Sequence, residues 1–119
     1  MKIAVITGAS SGLGREYAFE TARSRREIDE IWLIARREDK LRETAEQISK
    51  KVKILPLDIT KEECISEYAS LLKETNPEVE LLINNAGFGR LGDFDLLNTH
   101  DNGGMVRLNC EALTVITSL

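Results

Sequence analysis

Residues Thr7-Gly8-Ala9-Ser10-Ser11-Gly12-Leu13-Gly14 lie between a short apolar run, Lys2 to Ile6, and a stretch of helical spacing, Leu13 to Ala22. In a turn from strand to helix, each of these glycines has a physical use. Gly8 allows a tight exit from the strand, Gly12 lets the backbone approach a pyrophosphate, and Gly14 lets the helix pack close to the sheet. The N–H groups of the helix's first turn then face the phosphates, aided by the helix dipole. One glycine here would mark an ordinary strand–helix turn. Three, at positions 8, 12 and 14 of the first strand–helix unit, point to nucleotide binding. No Gly-Lys-Ser/Thr follows, so a P-loop is excluded.

Outward from this turn, extended and helical patterns alternate. Ile31 to Ala35 is a second apolar run, followed by a charged amphipathic stretch with Leu41, Ala45 and Ile48 on one stripe. Val52 to Leu57 predicts a third strand. Thr60 and Glu63 have capping-box spacing, ahead of a helix striped by Ile65, Tyr68, Ala69 and Leu72. Val79 to Ile83 predicts a fourth strand, closed by Asn84-Asn85-Ala86-Gly87, and Met105 to Leu119 has helical spacing again. The strand runs lack clean polar–apolar alternation, as in parallel sheets covered on both faces. The expected architecture is a doubly wound α/β domain with a parallel sheet.

Composition narrows the function. The 119 residues are 42% hydrophobic and 30% charged, which suits one globular domain. A net charge of −4 argues against sequence-independent nucleic-acid binding. No apolar run reaches the roughly 20 residues that span a bilayer. The first apolar run breaks at Thr7-Gly8, too early for the core of a signal peptide. Two cysteines, Cys64 and Cys110, suit a reducing compartment, and the expected location is cytoplasmic, with no membrane or nucleic-acid partner. His100 is the only histidine and has no Cys/His cluster around it, so no metal site is expected.

The turn at residues 7–14 together with Asn84-Asn85-Ala86-Gly87 resembles the short-chain dehydrogenase/reductase family, in its single-domain branch. The resemblance covers essentially the whole chain. It implies a Rossmann-type sheet of strand order 3-2-1-4, a nicotinamide dinucleotide cofactor, and hydride transfer to or from a small-molecule carbonyl or alcohol. It places Gly8, Ser10, Ser11, Gly12, Leu13 and Gly14 at the cofactor. Asp58, at the end of the third strand, matches the family's Asp at the adenine ring, and it also stands where it could cap the following helix. Asn85 matches the residue that braces the sheet, and Ala86 and Gly87 line the ribose side.

The choice of nicotinamide cofactor is read at the end of the second strand, about 20 residues past the glycines, where an acid would accept hydrogen bonds from a ribose 2′-hydroxyl. Here stand Arg36 and Arg37. A guanidinium attracts a 2′-phosphate and grips it bidentately, so NADP is expected in preference to NAD. Ser10 adds a hydroxyl donor. The alternative is that both arginines merely open a solvated helix, a reading that weighs more on Arg37.

Asn109 falls within an apolar stripe of Met105, Leu108, Ala112, Ile116 and Leu119. By itself it reads as a satisfied core amide. The resemblance makes it the family Asn that holds a water in the proton relay, and so the one catalytic residue assigned. The family's Tyr and the Lys four positions after it cannot be placed, because Tyr17 is followed at that spacing by Thr21 and Tyr68 by Leu72. The chain therefore reads as the N-terminal, cofactor-binding part of a single domain, truncated and without turnover of its own. A non-catalytic dinucleotide-binding or regulatory module is the rival reading. The resemblance also implies a homo-oligomer.

Overall fold

The computed structural model describes residues 1–10 and 12–86. Ser11, Gly87, Asn109 and the expected helix over 105–119 lie outside the described residues. Four parallel strands form one sheet in the order β3-β2-β1-β4, with β1 at Lys2–Thr7, β2 at Glu30–Ala35, β3 at Lys51–Pro56 and β4 at Glu78–Ile83. The connecting helices are α1 (Gly12–Ser24), α2 (Glu38–Glu46) and α3 (Glu62–Thr75).

Alternation along the strands sorts the core into two layers. Ala4 and Ile6 of β1 join Ile31 and Leu33 of β2 beneath Ala18 of α1 and Leu41 of α2. Ile3 and Val5 join Trp32 and Ile34 against Tyr68 of α3. The sheet is thus covered on both faces, which is why its central strands are apolar at nearly every position. Trp32 is fully buried, and Tyr68 meets it edge-on with ring centroids 6.3 Å apart. Trp32 Nε1 donates to Glu30 Oε1 at 2.6 Å, while Glu30 Oε2 lies 3.3 Å from Lys51 Nζ, its partner in register on β3. The buried carboxylate is therefore matched on both oxygens.

Strand β3 shows the features of a sheet margin: Lys51 and Lys53 alternate with apolar residues, and Pro56 ends the strand. Strand β4 pairs with β1 through a register shift that leaves Glu80 as the extra residue. Among the described residues no helix is long and apolar enough to cross a membrane.

Two local expectations are corrected. Thr60 does not open α3 with a capping box. The N-cap is Lys61, with no side-chain cap, and the helix is started by Glu62 and Glu63 in the dipole's favoured end. Thr60 is instead held by Asp58, which draws it into a turn one step before the helix. Ile48 lies beyond α2, which closes at Glu46, although its side chain still packs on the core.

Candidate functional site

All four strands point their carboxyl ends to the same side, and β1 and β4 are neighbours although two strands and three helices separate them in sequence. Ligands of open α/β sheets bind at such a switch in strand order. The glycine-rich turn and the Asn84-Asn85-Ala86 segment meet there.

Thr7 makes the junction. Its hydroxyl oxygen accepts from the backbone N–H of Asn85 at 3.0 Å and of Ala86 at 2.9 Å, and the hydroxyl lies 3.4 Å from the Ile83 carbonyl oxygen. Asn85 Nδ2 in turn donates to the Gly8 carbonyl at 3.3 Å. The end of β4 is thereby laced to the exit of β1. Gly8 has φ +67°, and a Cβ there would sit 2.9 Å from the Ala86 nitrogen. A Cβ on Gly14 would overlap the Gly8 carbonyl and come within 2.5 Å of Asn85 Nδ2. Gly12 differs from both: it has φ +57°, and among the described residues nothing lies within 4 Å of where its Cβ would be. Open space beside a left-handed glycine is a cradle that a phosphate group fits.

The turn is also fixed from the side of β2 and α2. The N–H of Gly8 donates to the Ile34 carbonyl at 2.8 Å, and that of Ala9 to the same oxygen at 3.4 Å. The buried hydroxyl of Thr44 lies 3.1 Å from the Ala9 carbonyl oxygen and 3.2 Å from that of Lys40. The first turn of α1 carries no acidic side chain, whereas α2 opens with Glu38 and Asp39 and α3 with Glu62 and Glu63. The positive end of the α1 dipole is thus left without a counter-charge of its own. Leu13 stands exposed on that turn, and Ser10 is half-buried.

Beyond β2 the two arginines differ. Arg37 precedes α2 and pairs with Asp39, Nη2 to Oδ2 at 3.2 Å. Arg36 is exposed, and its charge acts on Asp58 at the end of β3. Burial pushes the Asp58 carboxyl up, but hydrogen bonds from the Thr60 hydroxyl (2.6 Å) and N–H (3.0 Å), together with Arg36, outweigh it and hold the group below the ordinary carboxylate value. Tyr68 behaves in the opposite way: burial pushes its phenol up to about 12. It stays protonated and shut in the core, unfit for proton transfer at neutral pH.

Of the residues named from sequence, Gly8, Gly14, Asn85 and Ala86 are brought into direct contact range of one another, with Ser10 and Gly12 on the same turn and Arg36 and Asp58 at the neighbouring strand ends. Thr7 and Thr44 also hold this site together, and the motif pattern gives neither of them a role. A signal existed for Thr44, since it falls three residues after Leu41, on the buried side of its helix.

A twisted parallel sheet with this turn at its strand-order switch defines a Rossmann-type nucleotide-binding domain. More narrowly, the chain belongs to the short chain dehydrogenase family, whose model matches residues 2–119. It is 35% identical over 124 residues to sulfoacetaldehyde reductase 2 of Chromohalobacter salexigens, an alignment covering 97% of this chain and 46% of that protein. The bulky-bulky ketone specific alcohol dehydrogenase of Comamonas testosteroni superposes with a TM-score of 0.85 at 31% identity, over 99% of this chain and 47% of that one. A short-chain dehydrogenase of Sphingobium yanoikuyae, solved in complex with NADPH, also gives 0.85, at 30% identity over 99% of this chain and 46% of that one. The chain spans just under half the length of these three proteins. The family binds a nicotinamide dinucleotide and acts on small-molecule carbonyls or alcohols.

Proposed function

We propose that these residues form the cofactor-binding part of an NADP-dependent oxidoreductase that moves a hydride between nicotinamide and a carbonyl or alcohol. The observation that carries the cofactor choice is Arg36. It is exposed one residue past the end of β2, where an acid would repel a 2′-phosphate, while Arg37 is engaged by Asp39. The related dehydrogenase solved with NADPH agrees with this reading. Gly8, Ser11, Gly12, Leu13 and Gly14 would hold the pyrophosphate, and Ser10 would add a donor to the 2′-phosphate. Asp58 would meet the adenine side, and Ala86 and Gly87 would line the ribose side with Asn85 bracing them. Arg36, with Arg37 flanking it, would hold the 2′-phosphate. The cofactor supplies the hydride-carrying ring, and the chain supplies its position and the charges that match its phosphates. Asn109 would hold the relay water.

Fluorescence titration of the purified chain with NADPH and NADH tests the assignment. Arg36→Ala should raise the Kd for NADPH about 10- to 100-fold, the worth of a lost charge-assisted contact, and leave NADH nearly unchanged. Equal loss for both cofactors refutes it. The 119-residue chain contains no Tyr with a Lys four positions on, so it should bind cofactor yet show no turnover of aldehydes or ketones. A steady dehydrogenase rate in pure chain would refute that part. The same reading carries a cytoplasmic, homo-oligomeric protein, the latter checked by light scattering.

A further inference from the structure

We infer that Thr44 of α2 is a positioning residue that sets the phosphate-facing side of the glycine-rich turn. The inference rests on the cofactor reading above. A peptide unit is planar and trans, so its C=O and N–H point in opposite directions. The Ala9 carbonyl faces inward onto the buried Thr44 hydroxyl, 3.1 Å away, a donor whose single proton it shares with the Lys40 carbonyl at 3.2 Å. The N–H of Ser10 belongs to the same peptide unit and must point away from α2. Among the described residues it meets no acceptor. It is thereby offered, beside the half-buried Ser10 hydroxyl, to an anionic ligand.

The tether also joins two parts of one recognition surface. Arg36 and Arg37 immediately precede Glu38, the first residue of α2, and Thr44 lies on that same helix. The N–H groups of Gly8 and Ala9 meanwhile hold the Ile34 carbonyl, two residues before Arg36. The turn that carries Ser10 is thus bound by its carbonyl to the helix after the arginines and by its amides to the strand before them. Both donor sets for a 2′-phosphate are kept in one spatial relation, and preorganisation of that kind raises affinity by cutting the ordering cost of binding.

Thr44→Val keeps the shape of the side chain and removes only the hydroxyl, whereas Thr44→Ser keeps the hydroxyl and removes the methyl. Two readouts are needed. Amide hydrogen exchange in the chain without cofactor should show the Gly8 and Ala9 N–H groups exchanging faster in Thr44→Val, with the β1 and β2 core amides unchanged and Thr44→Ser like wild type. Titration should then show NADPH weakened about tenfold in Thr44→Val, NADH changed less than about threefold, and Thr44→Ser close to wild type. Thr44→Ala serves the same purpose should the valine variant not fold. Unchanged exchange at the turn, or NADPH binding equal to wild type, overturns the inference while leaving the Arg36 result to judge the cofactor reading. Equal weakening of NADPH and NADH overturns it as well, since Thr44 would then support the fold alone. A wild-type chain that prefers NADH removes the cofactor reading, and the inference with it.

Discussion

Gly12 and Gly14 stand two residues apart in one turn, yet they are glycine for different reasons. Gly14 has no room, because any side chain would enter the Gly8 carbonyl and the Asn85 amide. Among the described residues nothing crowds a Cβ at Gly12, but its backbone angle is +57°, which costs an L-residue roughly 1 kcal/mol. Gly14→Ala should therefore destabilise the fold by about 2–4 kcal/mol in urea unfolding, since backbone, not a flexible side chain, would have to give way. Gly12→Ala should cost only about 1 kcal/mol in the same experiment. Its larger effect should appear in cofactor titration, where the added methyl would occupy the open cradle. Similar losses of stability in both variants would contradict this division.

At the level of elements, the hydroxyl of Thr7 joins two strands whose chain positions are some 76 residues apart. No local pattern announces such a contact. Thr7→Val preserves the β-branched shape that suits the end of β1, but it leaves the N–H groups of Asn85 and Ala86 without their acceptor. Each orphaned, partly buried amide costs about 1–3 kcal/mol, so the variant should lose roughly 2–4 kcal/mol, and Thr7→Ser should recover most of it. If valine and serine behave alike, the junction is held by packing and not by the hydroxyl. The helices show how much of an element is written locally. α3 has acids in its first turn, Lys73 in its last and a left-handed Asn76 whose N–H returns to the Leu72 carbonyl at 2.9 Å. Only the role of Thr60 escaped, because a Thr three residues before Glu reads as a cap from sequence. In the fold it is claimed by Asp58 first.

The whole molecule's stability should carry the mark of its two-layer core. Tyr68 is enclosed between α3 and the sheet, against Trp32, and burial lifts its phenol from 10.0 to about 12. A phenol raised in the folded state contributes stability in full below its unfolded value, and that contribution drains as pH rises through the folded value. Between pH 10 and 12 the loss is on the order of 2–3 kcal/mol. Tyr68→Phe retains the ring against Trp32 and removes the titration. Its unfolding free energy should therefore fall less steeply than that of wild type across the same alkaline range. Parallel alkaline slopes would mean that the hydroxyl reaches water.

The strand–helix alternation, the glycine turn, the Asn84-Asn85-Ala86 segment and the two arginines after β2 were all legible in the sequence, because each depends on interactions within a few residues or on a period set by backbone geometry. The strand order β3-β2-β1-β4 came only through the family resemblance, since no local pattern says which strands pair. The apolar runs of β1 and β2 announced a sheet covered on both sides for the same reason. The partners of Thr7, Thr44 and Glu30 were decided only by tertiary structure. Each is a polar side chain whose meaning lies in what the fold brings opposite it: an amide from β4, a carbonyl from the turn, an indole and a lysine across β2 and β3. Buried donors and acceptors must be matched, but the chain can choose their partners only after the strands have assembled.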